Sequence, residues 1–363
     1  MRHLLVAAAV GLAASVPSFV VLPTPTGPHP VGREVLHLVD RSRTDPWVPT
    51  GPRELMISVY YPAVANQGRR APYATAEESR LMLESVGVTT VPPDSLTRVI
   101  PHARTGAPPL RTARRLPLIV LSPGFSDPRF MLTTLAEDLA GRGYVVATVD
   151  HTYEGSGVTF PDGRVTGCLL CERPDRDGRA IVANRVRDVS FVLDRLLAHP
   201  RYGRMIDHGR IGMAGHSMGG ATAAATMLVD RRVDAGVNLD GGFQRSFDTD
   251  LARPFLMLSA GPDPQTTHGD WNAAWAHLTG WRGWLTVPPM EHRSYSDVPV
   301  LGEWLGIGDW ELPGTRSVQV TRTYVAAFFD QHLRGRPSPL LDRPSPRFPE
   351  VCFVNRPAGS GCP

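Results

Sequence analysis

The run Gly215-His216-Ser217-Met218-Gly219-Gly220 carries the strongest chemical signal in the chain. It stands between RIGMA, which reads as a strand, and GATAAATML, which reads as a helix. G-x-S-x-G in that setting is a nucleophile elbow, a tight turn that lifts the serine hydroxyl above the carboxyl edge of a sheet. Glycines at 215 and 219 leave room where strand and helix nearly touch. Met218 opens the predicted helix, so its amide is a candidate donor to an oxyanion. The expected chemistry is attack of Ser217 on a carbonyl carbon. A purely structural glycine turn has no need for a serine at its apex.

A serine hydroxyl is a poor nucleophile without a base. His268, His277, His292 and His332 follow it in the chain. His277 falls in a helical apolar pattern with Trp271, Trp275 and Leu278 and reads as packed or surface. His332 ends the last predicted helix, where a cation complements the dipole. His268 precedes a helix, with no strand to carry it to the site. His292 follows WLTVPPME, directly after the last predicted strand, and is the expected base. For the acid, two aspartates end neighbouring predicted strands. Asp240 closes AGVNLD; Asp263 follows FLMLSAG. Asp240 is preferred because a strand end holds a side chain more rigidly than a loop, and Asp263 is the alternative. The second oxyanion donor is expected in Ser122-Pro123-Gly124-Phe125-Ser126, as the Phe125 amide.

Bringing these residues together requires several strands that end on one edge. LPLIVLS (116–122) and 144–149 are continuous apolar runs, the mark of strands buried on both faces. Further strands are predicted at 34–39, 55–61, 210–214, 235–239, 254–259 and 283–287. Helical spacing occupies 131–142, 180–198, 218–228, 271–278 and 318–333. Such alternation predicts an α/β fold with a mostly parallel, doubly wound sheet flanked by helices. One catalytic domain over 31–336 is expected. Residues 62–115 form a cap-like insertion or irregular loops in this reading, and 337–363 a proline-rich tail.

The 363 residues include 42% hydrophobic and 20% charged, enough for a packed core, with a net charge of +3. No block of like charge stands out, so no nucleic-acid partner is expected. All 38 basic residues are arginine, which excludes Schiff-base and P-loop lysine chemistry. Residues 1–22 read as a secretory signal peptide, a basic start followed by an apolar run; an uncleaved membrane anchor is the alternative. Export favours disulfides for the four cysteines, Cys168 with Cys171 and Cys352 with Cys362 as near neighbours. A zinc site would need four ligands, and no second C-x-x-C or H-x-x-x-H is present, so no metal or other cofactor is expected.

From about Leu116 to Leu301 the chain resembles the plasma-type platelet-activating factor acetylhydrolases of the α/β-hydrolase superfamily. The resemblance rests on SPGF, VVATVDH, GHSMGGAT, NLDGGF and PMEHRSYSD. It implies Ser217 as nucleophile, Asp240 as acid, His292 as base, and the amides of Phe125 and Met218 as oxyanion donors. It also implies metal-free hydrolysis of short or oxidised acyl groups from phospholipid-like esters, with transient contact to a lipid surface. Secreted bacterial lipases and polyester hydrolases share the S-M-G-G elbow and place the acid nearer Asp263. A triacylglycerol lipase or cutinase-like polyesterase is therefore the rival reading, and an inactive hydrolase-fold binding protein the non-enzymatic one. His151, Trp281, Trp284 and Trp304, together with Trp310, are candidates to line the substrate groove; ordinary packing is the competing reading of the tryptophans.

Overall fold

The computed structural model describes residues 18–244, 247–261 and 270–354. An antiparallel pair opens the main sheet, β1 (Val31–Thr44) and β2 (Pro52–Pro62). Then come β3 (Leu116–Ser122), β4 (Val145–His151), β5 (Ile206–His216), β6 (Ala235–Leu239), β7 (Phe255–Ala260) and β8 (Arg282–Val287). A last short strand, β9 (Cys352–Phe353), lies antiparallel on β8. The order across the sheet is β9-β8-β7-β6-β5-β3-β4-β2-β1, and short strands at Arg104–Thr105 and Arg69–Arg70 extend the β1 edge. Every pairing from β4 through β8 is parallel. The segments that follow β3, β5, β6 and β8 therefore leave from one edge of the sheet. Those are the loop expected to carry an oxyanion donor (the oxyanion loop), the elbow, Asp240 and the histidine loop.

Among the described residues, the helices of eight or more residues are α1 (Ala76–Ser85), α2 (Thr133–Gly141), α3 (Gly178–Ala198), α4 (Met218–Val229), α5 (Asp270–His277), α6 (Val298–Leu305) and α7 (Gly314–Arg334). Leu135 and Leu139 of α2, with Phe328 and Phe329 of α7, cover one face of the sheet. Val189 and Leu193 of α3, with Ala223 and Met227 of α4, cover the other. Coverage on both faces is why β3, β4, β6 and β7 read as unbroken apolar runs. Each fully buried leucine or phenylalanine contributes about 1.5–3 kcal/mol of transfer free energy.

Residues 62–115 are more ordered than the sequence implies. Helix α1 starts at a capping box: Thr75 Oγ1 accepts from the Glu78 amide at 3.1 Å, and the Glu78 carboxylate accepts from the Thr75 amide at 2.8 Å. Its Met82 and Leu83 pack with Leu301, Trp304 and Leu305 of α6. Few apolar residues mark α1, and they become a buried face only once α6, over 200 residues on, lies against them. Val20–Val21 pair with Val99–Ile100, and Leu22 is buried in the same cluster. These residues, counted with the N-terminal apolar segment on sequence grounds, belong to the folded body; residues 1–17 lie outside the described ones. Among the described residues no helix is long and apolar enough to cross a membrane.

Cys168 and Cys171 form a disulfide. Cys352 is disulfide-bonded as well, and Cys362 lies outside the described residues. Residues 338–354 of the proline-rich segment are docked, with Leu341, Phe348, Val351 and Phe353 in the main core.

Candidate active site

Strand β5 runs into the turn that carries Ser217, whose φ of 53° and ψ of −121° place it outside the ordinary allowed regions. Close approach explains the glycines around it. A Cβ on Gly215 would lie 2.2 Å from the Gly219 carbonyl carbon, and one on Gly219 would lie 1.9 Å from the Ser122 carbonyl oxygen. No other residue fits where β3, β5 and α4 converge. The Ser217 amide donates to the Leu239 carbonyl at 2.9 Å, which ties the elbow to β6.

Asp240 follows β6 with φ 56°, a left-handed conformation that aspartate tolerates better than most residues. Its carboxylate is fully buried and used on both oxygens: Oδ1 accepts from the Ala260 amide at 2.9 Å, Oδ2 from His292 Nδ1 at 2.7 Å. His292 Nε2 lies 2.9 Å from Ser217 Oγ, in position to accept its proton. The imidazole keeps 39% of its side chain exposed, while Asp240 has none. The three residues thus form one hydrogen-bonded line running from the interior to the surface. Asp263 and His268 lie outside the described residues.

Phe125 is half-buried on the loop after β3, with the Arg176 guanidinium 5.6 Å from its ring centroid. Met218 is the first residue of α4, where backbone N–H groups have no intrahelical acceptor. The residues expected as nucleophile, base, acid and oxyanion donors therefore all sit on the same sheet edge.

Two supporting residues lie inside the runs NLDGGF and GHSMGGAT, but nothing in the sequence assigns them a role. Asn238 clamps the turn after Asp240, donating from Nδ2 to the Gly241 carbonyl at 2.7 Å and accepting from the Gly241 amide at 2.8 Å. His216, beside Ser217, donates from Nε2 to the His292 carbonyl at 2.7 Å and so ties the histidine loop to the elbow. Its Nδ1 lies 3.5 Å from Asp127. Burial would raise the Asp127 carboxyl, but His216, Arg293 and His292 around it hold it below its ordinary value.

A sequence profile described as platelet-activating factor acetylhydrolase, isoform II, matches residues 15–162. A protein of Arthroderma benhamiae named "Probable 1-alkyl-2-acetylglycerophosphocholine esterase" is 31% identical over 95% of this chain and 96% of its own.

This chain is a member of the platelet-activating factor acetylhydrolase family.

Within that family, the canine platelet-activating factor acetylhydrolase is 30% identical over 36% of each chain. A bis(hydroxyethyl) terephthalate hydrolase of Streptomyces coelicolor is 32% identical over 42% of each. The structure of a ferulic acid esterase from Streptomyces cinnamoneus superposes with a TM-score of 0.84, 45% identity, and coverage of 92% of this chain and 99% of the other. The fold is accordingly the α/β-hydrolase fold, and this family member is a carboxylic-ester hydrolase.

Four candidates for the substrate groove are engaged in packing or buried hydrogen bonds. His151 is buried; its Nε2 faces Ser122 Oγ at 3.0 Å and its Nδ1 faces Asp188 at 2.8 Å, beneath the oxyanion loop. Trp281 precedes β8, at the strand end away from the site, and stacks on Phe328 and His332. Trp284 is a core residue between Trp271 and Trp275. Trp304 is buried between α1 and α6. Packing claims tryptophans placed at strand starts or inside a helix interface, whatever their distance in sequence from His292. His332 also differs from expectation: burial against Trp281 and Phe328 lowers it to about 4, so it is neutral, not a cation on the helix end.

Trp310 does line a cavity, of about 390 Å³, between α1 and α6 beside the histidine loop. Met82, Met131, Leu301 and Leu305 give it apolar walls. Arg293, next to His292, is the one charged residue among the described residues of its lining.

Proposed function

We propose that this chain is an exported serine esterase that cleaves lipid-like esters with short or oxidised acyl groups by a Ser217–His292–Asp240 acyl-enzyme mechanism. The observation that carries the reading is the hydrogen-bonded line from Asp240 through His292 to Ser217. Ser217 Oγ attacks the ester carbonyl carbon while His292 Nε2 takes its proton. Asp240 stays ionised and steadies the imidazolium through Nδ1. The carbonyl oxygen, now an oxyanion, accepts hydrogen bonds from the amides of Phe125 and Met218. The tetrahedral intermediate collapses by expelling the alcohol, which receives the proton from His292. Water, deprotonated by the same imidazole, then attacks the acyl-enzyme and releases the acid and free Ser217.

The apolar cavity at α1 and α6, with Arg293 at its border, supports an amphiphilic substrate in which an apolar arm meets an anionic or acceptor group. A second reading, an ester of an aromatic acid, draws on the ferulic acid esterase and terephthalate hydrolase likenesses. Hydrolysis rates on 1-alkyl-2-acetylglycerophosphocholine, methyl ferulate, bis(hydroxyethyl) terephthalate and tributyrin separate the readings. Highest kcat/KM on the acetyl phospholipid is expected; highest on methyl ferulate or the terephthalate reassigns the substrate class. Loss of all four in Ser217→Ala is expected, and retained hydrolysis removes the mechanism. N-terminal sequencing of protein recovered from culture medium tests export.

A further inference from the structure

Beneath the oxyanion loop lies a group of buried charges that the proposed chemistry does not use. Arg185 of α3, Glu154, His151, Asp188 and Arg53 are all essentially inaccessible to solvent. Arg185 donates from Nε to Glu154 at 2.6 Å. Its Nη1 donates to the Pro123 carbonyl at 2.6 Å and to Ser122 Oγ at 3.4 Å, and its Nη2 to the Gly124 carbonyl at 3.3 Å. Ser122 Oγ continues to His151 Nε2 at 3.0 Å, and His151 Nδ1 to Asp188 at 2.8 Å. Asp188 is held in turn by Arg53 Nη2 at 2.8 Å and by Arg43.

The donors and acceptors form one consistent sequence. Burial and the Arg185 charge favour neutral His151. With its single proton on Nδ1 toward Asp188, Nε2 accepts from the Ser122 hydroxyl, whose oxygen accepts from Arg185. Ser122, His151 and Asp188 have the residue types of a catalytic triad, but Ser122 has no exposed surface and cannot meet a substrate. Nor is stability a sufficient account, since buried ion pairs are often no better than apolar packing of the same volume. What the network does determine is the path of the backbone from Ser122 to Gly124.

That path ends at the peptide linking Gly124 to Phe125. A trans peptide is planar, with C=O and N–H pointing in opposite directions, so fixing the carbonyl fixes the amide. A guanidinium on the oxygen also polarises the same unit and strengthens its N–H as a donor. The loop is tied beyond this point as well, where the Ser126 amide donates to the Glu154 carbonyl at 3.0 Å. Glu154 thus anchors the far end by its backbone and Arg185 by its side chain.

We infer that Arg185 is a positioning residue for the oxyanion hole, gripping the Gly124–Phe125 peptide by its carbonyl so that the Phe125 amide faces the ester oxygen above Ser217. The inference rests on the proposed Ser217 mechanism. Its test compares Arg185→Met, Arg185→Lys and Ser122→Ala with wild type. The readouts are kcat per fluorophosphonate-titrated site and KM on p-nitrophenyl acetate, Ki for a trifluoromethyl ketone that forms a tetrahedral adduct, and Tm. Arg185→Met should lose about 10²–10³-fold in kcat per titrated site, as deletion of an oxyanion donor does, with Ki weakened in parallel. KM should stay within about threefold, because the donor acts on the transition state. Arg185→Lys should recover part of the loss, since an ammonium reaches one carbonyl but lacks the fork. Ser122→Ala should lose about tenfold, the scale of one hydrogen bond.

A fall in Tm with unchanged kcat per titrated site and unchanged Ki would reduce Arg185 to a structural role and overturn the inference. If Arg185→Met does not fold, Arg185→Lys and Ser122→Ala decide, and wild-type kcat and Ki in both overturn it. Failure of the underlying mechanism reads differently: Ser217→Ala would then retain hydrolysis.

Discussion

Asp240 and His292 are 52 residues apart in the chain, and 2.7 Å separates Oδ2 of the one from Nδ1 of the other. The carboxylate reaches that point because Asp240 adopts a left-handed backbone at the end of β6, while its other oxygen is fixed by the Ala260 amide of β7. One side chain is thereby coupled to two adjacent strands before it meets the imidazole.

Removing this coupling should be severe. Asp240→Asn keeps the shape but presents either an amide that cannot stabilise imidazolium or one that selects the wrong tautomer. A kcat loss of about 10³–10⁴-fold is expected on p-nitrophenyl acetate, with Ser217→Ala falling at least as far. Asp263→Asn should change kcat by less than about threefold. A larger loss for Asp263→Asn than for Asp240→Asn would transfer the acid role.

Asn238 supports the same turn from below. In Asn238→Ala the Gly241 amide and carbonyl each lose a partner, although Trp271 Nε1 still donates to that carbonyl at 2.9 Å. Stability should fall by about 1–3 kcal/mol, read as a lower midpoint in urea. The kcat should fall with it as Asp240 shifts. Wild-type values for both would show that the turn holds without the clamp.

A buried group, Asp297, and a half-buried one, His332, should tilt the pH dependence of stability in opposite directions. Burial raises the Asp297 carboxyl to about 7, against hydrogen bonds from Thr134 and Tyr73 that favour its ionised form. The folded chain keeps a proton there that the unfolded chain releases near pH 4, so this contribution is full in acid and is lost as pH rises through 7. For His332, lowered to about 4, the unfolded chain binds the proton first; its contribution is full above about pH 6.5 and is lost as pH falls through 4. Denaturation midpoints from pH 4 to 9 should therefore fall less with rising pH in Asp297→Asn. In His332→Phe they should fall less with falling pH. Unchanged slopes in both variants would refute the linkage.

The cavity between α1 and α6 should set acyl or alcohol preference. Leu301→Trp fills it and should raise KM for p-nitrophenyl octanoate about tenfold while leaving the acetate ester nearly unchanged, a loss on the scale of a methylene or two of apolar contact. Arg293→Gln should weaken an ester bearing a free carboxylate or phosphate more than its neutral analogue. Equal effects on all esters would place the substrate elsewhere.

The central alternation was legible because strands covered on both faces leave continuous apolar runs, and LPLIVLS and AGVNL occupy the spans expected of them. The elbow was legible for a steric reason: only glycine can stand where Gly215 and Gly219 stand, and the strand–turn–helix setting singles out Ser217 between them. Helices α1 and α6 were not: each is short, and the buried face of α1 is made of Glu78, Ser79, Met82 and Leu83, two of them polar. His151 illustrates the same limit at the site. Following a strand that points to the catalytic edge, it reads as a substrate contact, yet it turns inward to Ser122 and Asp188.

From its residue order alone the chain specified a doubly wound α/β domain, a serine at a tight turn, a histidine directly after the last predicted strand, and two aspartates at strand ends that could serve it. Those properties depend on local sterics and on periodicity, which neighbouring residues express. Tertiary structure alone decided which carboxylate His292 meets, which tryptophans are core, and which charges lie under the oxyanion loop. Each of these depends on side chains brought together from distant segments, and hydrogen bonds only a few ångströms long leave no trace in sequence spacing.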